Sequence, residues 1–262
     1  SQFGLNPDRR TPSGIKAAII REKGTNGERE MAYMLYLAGF DVKDVTMTDL
    51  VSGRETLEDI NMVVYCGGFS NSDVLGSAKG WAGSFLFNPK AKAALDNFYA
   101  REDTLSLGVC NGCQLMMELG LITPEDKKKG KMLHNDSHKF ESAFLGVTVP
   151  MNRSVMFGSL SGSKLGIWVA HGEGKFSLPY PEDHYNVVLK YSYDEYPGNP
   201  NGSDYSVAGI ASQDGRHLAM MPHLERACFP WENAYYPLDR KDNDQITPWM
   251  EAFVNARKWV EA

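Results

Sequence analysis

Apolar positions in the first 110 residues form short continuous runs, which predict buried strands. These runs cover residues 15–20, 42–45, 62–65 and 105–109. Residues 27–38 have apolar positions at helical spacing, with Asn26 placed to cap the first turn and Gly39 to end the last. Residues 89–100 begin with proline, which favours the first position of a helix, and residues 57–60 predict a short helix or turn. Alternating strands and helices predict an α/β fold, an open, mostly parallel twisted sheet with helices on both faces.

The pattern changes in the second half of the chain, where predicted strands follow one another without long helices between them. These strands cover residues 140–149, 166–170, 185–191, 206–212 and 217–221. The last two flank Asp214-Gly215, a dipeptide typical of the turn in a β-hairpin. We therefore expect antiparallel strands to extend the same sheet. A final helix is predicted at residues 248–260, with Thr247 as its N-cap.

Composition and charge narrow the class of protein. Residues 1–14 are polar and rich in proline and glycine, which predicts a linker or a cloning remnant ahead of a folded domain at residues 15–262. The 262 residues are 42% hydrophobic and 23% charged, an ordinary globular composition. A net charge of −6 disfavours nucleic-acid binding, and no apolar run is long enough to span a membrane. Four cysteines do not suggest a disulfide scaffold, so we expect a reducing, cytoplasmic setting.

The stretch at residues 104–120 predicts a strand, a sharp turn and a helix, with Cys110 at the turn and the helix running from Gln114. Gly108 and Gly112 flank the cysteine and allow a tight backbone. This is the pattern of a nucleophile elbow, G-x-C-x-G, which displays the side chain instead of packing it. The amides of the following helix lie beside the sulfur, where the positive end of the helix dipole favours a thiolate.

Three other interpretations of Cys110 compete with a nucleophile. A lone cysteine is most often a core residue, but the two flanking glycines argue against that here. Cys110 and Cys113 also form C-x-x-C, so a redox dithiol is a minor rival. A zinc site is weaker, because no second C-x-x-C or histidine pair stands at ligand spacing, and we predict no metal.

A cysteine nucleophile needs a base within hydrogen-bond reach and a third group that orients the base. His223 and Glu225 stand two residues apart, and in an extended backbone such residues point to the same side. On their own they would more simply be a pair at the end of a strand. Together with the elbow, they predict a Cys-His-Glu triad with His223 as the base and Glu225 as its orienting partner.

Acyl chemistry also needs N–H donors aimed at the developing oxyanion. We predict one donor from the backbone amide of Asn111, directly after the nucleophile. Others are predicted from the amides around Gly67, Gly68 and Phe69, because paired glycines let the backbone approach a ligand closely. Further candidates for the wall of the substrate pocket are Asn135, Ser137 and His171.

Two segments together resemble the active-site motifs of class I glutamine amidotransferases: G-V-C-N-G-C-Q-L around Cys110 and P-H-L-E-R around His223. The resemblance covers essentially residues 15–262 and implies the flavodoxin-like sheet of that family, with this range as a glutaminase domain. Gln114 stands where the family uses a glutamine to contact the substrate. The segments R-E-K-G-T-N-G-E-R-E-M, C-G-G-F-S-N-S-D and V-A-H-G-E-G-K-F are similar to the large single-chain amidotransferase of the fourth step of purine biosynthesis.

The resemblance implies that Cys110 attacks the side-chain amide of L-glutamine and releases glutamate and ammonia through a thioester. The ammonia would feed a synthetase, in the same longer chain or a separate subunit, that converts formylglycinamide ribonucleotide to formylglycinamidine ribonucleotide. ATP and magnesium are expected only in that synthetase, and no cofactor is expected in this domain. Two alternatives stay open: a glutaminase serving another synthetase, and a non-catalytic or partner-dependent interaction domain.

Overall fold

A nine-stranded mixed sheet lies at the centre of the computed structural model, which describes residues 2–262. The strands in chain order are β1 (Lys16–Arg21), β2 (Thr25–Asn26), β3 (Asp41–Thr46), β4 (Met62–Tyr65), β5 (Gly67–Gly68), β6 (Leu105–Val109), β7 (Lys131–Leu133), β8 (Glu141–Thr148), β9 (Lys164–His171), β10 (Lys175–Ser177), β11 (Asn186–Tyr191), β12 (Val207–Ala211) and β13 (His217–Met220). The helices are α1 (Glu28–Ala38), α2 (Met47–Ser52), α3 (Lys79–Leu86), α4 (Pro89–Ala100), α5 (Asn111–Glu118), α6 (Leu238–Lys241) and α7 (Trp249–Glu261). The order across the large sheet is β3-β1-β4-β6-β13-β12-β11-β8-β9.

The first five strands of that order run parallel to one another. Every residue of β4 and β6 is buried, as expected for central strands covered on both faces. The chain moves outward from β1 to β3 and then back to β4, so right-handed crossovers place α1 and α2 on opposite faces. Because β4, β6 and β13 are adjacent, the residues that follow them meet at one edge of the sheet. The predicted α/β class is confirmed.

The second half extends the same sheet with antiparallel strands, as predicted. β12 and β13 form the expected hairpin, and β13 then joins the parallel half by pairing with β6. Two small sheets, β2 with β5 and β7 with β10, were not predicted, and neither were α2 and α3. Strands of two or three residues carry too few positions to show a periodicity, which is why the pattern missed them.

Several predicted element ends are wrong. Asn26 is not the cap of α1: it pairs in β2, and Gly27 occupies the cap position with φ of 82°. Thr247 lies one residue before the cap position of α7, which Pro248 takes, although its hydroxyl accepts from Trp249 N at 3.4 Å as well as donating to Ala227 O at 2.6 Å. The helix after the nucleophile starts at Asn111, not at Gln114. Residues 57–60, by contrast, form a turn, which is one of the two forms predicted for them.

The polar segment ahead of β1 lies against the domain. Arg9 donates to Phe40 O at 2.7 Å and to Asp41 Oδ1 at 3.0 Å, and the Tyr36 hydroxyl donates to Pro7 O at 3.2 Å. These contacts hold residues 7–9 beside α1 and β3, while Ser1 lies outside the described residues. Within residues 2–262, no helix has both the length and the apolar character that a membrane crossing needs.

Candidate active site

Cys110 occupies the turn between β6 and α5 with φ of 54° and ψ of −108°. Positive φ in a non-glycine residue costs on the order of 1–3 kcal/mol and persists only where the surroundings enforce it. Here they do: a Cβ on Gly108 would overlap Gly112 O, and a Cβ on Gly112 would overlap Tyr65 O. The backbone of the elbow, residues 108–112, is therefore packed so closely, on α5 and β4, that Gly108 and Gly112 have no room for a side chain. The sequence-predicted strand–turn–helix geometry is present.

His223 and Glu225 lie beside the thiol. An isolated antiparallel β-bridge with Trp168 of β9 fixes the backbone of His223. In this bridge His223 N donates to Trp168 O at 2.9 Å. His223 Nδ1 and Glu225 Oε1 are 2.6 Å apart, and each side chain is only 2–3% exposed. This bond leaves the other ring nitrogen of His223 unengaged by Glu225, and the ring and Cys110 both lie within 3.5 Å of one point, the Cβ position of Gly67. The structure thus brings together the three residues predicted as a triad.

The charge state of His223 follows from opposing effects. Burial lowers the pKa of the imidazole, but the Glu225 carboxylate and Cys110 outweigh burial and raise that pKa to about 10. The imidazole is therefore held as imidazolium at neutral pH, between a carboxylate and a sulfur.

Gly67, Gly68 and Phe69 form a turn beside the triad, which we call the glycine turn. A Cβ on Gly67 would lie 2.9 Å from His223 Cε1 and 3.4 Å from Cys110 Cβ, so the turn touches both reacting groups. The prediction that Phe69 supplies an oxyanion amide is not supported by its hydrogen bonding, because Phe69 N donates to Gly24 O at 2.9 Å. Gly67, Gly68 and Asn111 are the predicted donors that remain.

Asn111 and Gln114 join the elbow to two loops. Asn111 is fully buried, and its side chain accepts from Ser70 N at 3.0 Å and donates to Gln114 Oε1 at 2.9 Å. Gln114 Nε2 donates in turn to Glu173 O at 2.8 Å. In this structure the amide of Gln114 is therefore bound within the protein, and it fixes the position of the loop that follows β9.

The predicted pocket residues Asn135, Ser137 and His171 differ in whether their polar side-chain atoms have hydrogen-bond partners. Asn135 is fully buried and braces the loop after β9 through His171 O at 2.8 Å and Gly174 N at 3.0 Å. His171 is 2% exposed, and burial lowers its pKa to about 4, so the ring is neutral at pH 7. Among residues 2–262, neither ring nitrogen of His171 finds a hydrogen-bond partner, and the same holds for the buried Ser137 hydroxyl oxygen.

An open cavity of about 650 Å³ reaches Gln114, one helical turn from the nucleophile. Its wall includes Asp73 and Glu173, and burial together with Glu173 raises the pKa of the Asp73 carboxyl. Ser77 N donates to Glu173 Oε2 at 3.1 Å across this cavity. The sequence did not single out Glu173 or Asp73 as part of a site, since an acidic residue in a polar loop carries no periodic or spacing signal.

Cys113 does not support the redox alternative. Its thiol is fully buried, and burial raises its pKa well above the usual range, which disfavours the thiolate that disulfide exchange requires. All four cysteines are free thiols. Cys110 is the cysteine that lies against a buried imidazolium, and its thiol also points at Ala170 O at 3.5 Å.

Comparisons with known proteins agree with this geometry. Residues 14–260 match the family model of the CobB/CobQ-like glutamine amidotransferase domain. The chain is 44% identical over 266 residues to "Probable phosphoribosylformylglycinamidine synthase, chloroplastic/mitochondrial" of Arabidopsis thaliana, covering 94% of this chain and 19% of that protein. It is also 44% identical over 279 residues to "Phosphoribosylformylglycinamidine synthase" of Homo sapiens, covering 96% and 21%. The chain thus spans about a fifth of the length of these curated relatives.

Solved structures give the same result for the fold. "Structure of PurLQS from Thermotoga maritima" superposes with a TM-score of 0.72 at 26% identity, covering 94% of this chain and 98% of that chain. A glutamine amidotransferase from Thermotoga maritima superposes with a TM-score of 0.55 at 16% identity, covering 95% of this chain and 99% of that chain, and shows the fold alone.

Proposed function

The chain belongs to the CobB/CobQ-like glutamine amidotransferase family, and on that premise we propose that it hydrolyses L-glutamine to glutamate and ammonia. The observation that carries the proposal is the buried pair of His223 and Glu225, 2.6 Å apart, against a cysteine held in an elbow. This arrangement has the nucleophile, base and orienting group that a thioester mechanism requires.

In the first half-reaction the Cys110 sulfur attacks the side-chain amide carbon of glutamine, and the amide oxygen becomes an oxyanion. The amides of Asn111 and Gly68 stabilise that oxyanion. The tetrahedral intermediate collapses when His223 gives its proton to the amide nitrogen, which leaves as ammonia. The product is a glutamyl thioester on Cys110 and a neutral His223.

In the second half-reaction His223 takes a proton from water, and the hydroxide formed attacks the thioester carbonyl. The carbon–sulfur bond breaks, glutamate leaves, and Cys110 returns as thiolate beside the imidazolium. Glu225 keeps the ring in one orientation through both steps, since its carboxylate binds Nδ1 while the other nitrogen moves the proton.

We further propose that the ammonia feeds the conversion of formylglycinamide ribonucleotide to formylglycinamidine ribonucleotide in purine biosynthesis. The names of the relatives and their greater length support a synthetase in the same longer polypeptide. ATP and magnesium then belong to that synthetase, and this domain needs no cofactor. The four free thiols suit a reducing compartment, and we propose the cytoplasm.

An apolar rim around the cavity supports a protein partner. Val74 and Leu75 are 80% and 72% exposed, and both line the cavity that reaches Gln114. Phe69 and Phe140 line an adjoining cavity that shares Asp73 and Glu173 with the first, and both rings are about half exposed, with centroids 6.0 Å apart. Clustered exposed apolar side chains gain free energy by burial against another surface. We propose that the synthetase part covers this rim.

Mass spectrometry after treatment with diazo-oxo-norleucine, a glutamine-like electrophile, tests the glutaminase proposal. We expect one adduct in the wild type and in Cys113→Ala, and none in Cys110→Ala. An adduct that survives Cys110→Ala would contradict the proposed nucleophile. Absence of any adduct, both in this chain alone and with the synthetase added, would support a non-catalytic interaction domain instead.

Glutamine turnover with and without the synthetase tests the coupling. If the partner covers the rim, adding it raises the rate of glutamate release from the wild type. It raises the rate less in Val74→Asp/Leu75→Asp, because two carboxylates would be buried without partners. An equal increase in both proteins would contradict the proposed docking surface.

A further inference from the structure

Residues 23–27, the K-G-T-N-G part of a motif that the proposed chemistry leaves unused, lie directly against the glycine turn. The carbonyl of Gly24 accepts from Phe69 N at 2.9 Å. The carbonyl of Lys23 accepts from Asn71 N at 2.7 Å. Beside these two bonds, β2 and β5 pair as antiparallel strands. Residues 24–26 therefore bind the glycine turn through their backbone, and Lys23 binds Asn71, two residues after the turn.

The two backbones also pack without space between them. A Cβ on Gly24 would overlap Phe69 O. A Cβ on Gly68 would lie 2.7 Å from Asn26 N and 2.7 Å from Thr25 Cα. A shift of either backbone must therefore move the other, because side chains are not there to absorb it.

The other end of the segment reaches the triad. Asn26 Oδ1 accepts from Arg226 Nη2 at 2.9 Å, and Arg226 directly follows Glu225 in the chain. At Gly27 a Cβ would lie 3.2 Å from Arg226 Nη2 and 3.7 Å from Glu225 Oε1. The same five residues thus contact the glycine turn on one side and the carboxylate end of the triad on the other.

We propose that residues 23–27 are a positioning clamp: together with Arg226 they set the distance between the glycine turn and the triad. The inference rests on the proposed function, since it assigns the clamp to the oxyanion step of that reaction. No residue of the clamp reacts. Their backbone holds Gly68 where its amide meets the oxyanion, and Arg226 ties that position to Glu225.

The proposal predicts a specific kinetic signature. Oxyanion donors act in the transition state and not on bound glutamine, so a displaced turn lowers kcat and leaves KM nearly unchanged. The thiol and the imidazole do not belong to the turn. Reaction of Cys110 with iodoacetamide, which forms no oxyanion, should therefore be preserved. A general loss of structure would lower both reactions together.

Gly24→Ala is the direct test, and Gly162→Ala is its matched control. Both glycines have similar positive φ, 89° and 86°, so alanine strains the backbone equally at each. At Gly162 no atom of the described residues other than its two chain neighbours lies within 4 Å of the added Cβ, whereas at Gly24 the Cβ meets Phe69 O. We expect Gly24→Ala to lower kcat for glutamine by about 10²-fold, the order found when one oxyanion donor is removed.

Arg226→Ala and Arg226→Lys test the other end of the clamp with a surface change that leaves the core intact. We expect Arg226→Ala to lower kcat about 5-fold, the size of one hydrogen bond of ~1 kcal/mol, and Arg226→Lys to recover part of it. Arg240→Ala, which breaks an exposed ion pair with Asp244 elsewhere, should leave kcat unchanged.

The two measurements, run on the same chain with the synthetase present, separate the possible results. A lower rate with diazo-oxo-norleucine and glutamine, at an unchanged rate with iodoacetamide, supports the clamp. Equal rates in Gly24→Ala and Gly162→Ala, or equal loss with both reagents, overturn it. If the wild type reacts with iodoacetamide but with neither glutamine nor its analogue, the proposed function itself fails, and the clamp has no reaction to serve.

Discussion

The loop at residues 71–78 borders the cavity that reaches Gln114, one helical turn beyond the elbow at residues 108–112, and the two segments are built in opposite ways. The elbow has one residue at positive φ, Cys110, and every atom around it is packed. The loop has three consecutive non-glycine residues at positive φ, 71–73, and its next two residues are the exposed Val74 and Leu75. The strained backbone is therefore buried in the elbow, whereas in the loop it lies next to solvent.

The difference shows how backbone strain is maintained. At the elbow, glycines let strands and helix approach until no other conformation of Cys110 fits. In the loop, the strained conformation is held to the rest of the protein by hydrogen bonds near its ends. Asn71 N donates to Lys23 O at 2.7 Å, and Ser77 N donates to Glu173 Oε2 at 3.1 Å. Strain held by packing should resist change, whereas strain held by a few bonds should be easy to relieve.

The largest expected effect comes from breaking the packing of the elbow. In Gly112→Ala the added Cβ overlaps Tyr65 O, and overpacking of this kind costs ~1–3 kcal/mol in unfolding free energy. Because the displaced backbone carries Cys110, labelling by diazo-oxo-norleucine should fall by about 10²-fold or more. Urea unfolding and the labelling rate measure the two effects. Gly158→Ala, where the nearest atom is 3.9 Å away, is the control, and equal labelling in the two variants would contradict the account of the elbow.

A smaller effect is expected from Glu225→Gln, which removes the carboxylate charge beside the imidazole of His223. The pKa of His223 is raised to about 10 when folded, against ~6.5 when unfolded. A raised folded pKa contributes stability that is fully present below pH ~6.5 and is lost as pH rises through 10.

Glu225→Gln should therefore flatten the decline in unfolding free energy between pH 7 and 10, as measured by urea unfolding at several pH values. Glu182→Gln, which removes an exposed ion pair with Lys190, should leave that slope unchanged. If the unfolding free energy of Glu225→Gln declines as steeply as that of the wild type, the His223–Glu225 pair does not cause the pH dependence.

The smallest effect is expected in the loop. Ser72 has φ of 56°, and Ser72→Gly removes the Cβ that makes this conformation costly. We expect a gain of about 0.5–1 kcal/mol in thermal or urea unfolding, with the iodoacetamide rate of Cys110 unchanged. Ser77 lies in the same loop with ordinary φ. Ser77→Gly should instead lower the stability, because glycine raises the conformational entropy of the unfolded chain. Equal losses in both variants would mean that the loop stores no strain.

The fold and the site were predictable from the sequence to different extents. The run at residues 62–65 and the helix at 89–100 agree with β4 and α4 to the residue, because burial on both faces and a proline at the helix start are local signals. Cys110 between two glycines is equally local. Caps were not predictable in the same way: Asn26 is a good capping residue, but pairing with Gly67 outweighs that preference.

The sequence by itself determined which groups can react: a displayed thiol, and a histidine with a carboxylate at the right spacing. Only the tertiary structure decided which atoms are free to do so. The amide of Phe69 is occupied by Gly24 O, and the side chain of Gln114 by Asn111 and Glu173. Most of these bonds join residues far apart in the chain, and no pattern along the sequence encodes them. They arise because parallel strands bring distant turns to one edge of the sheet.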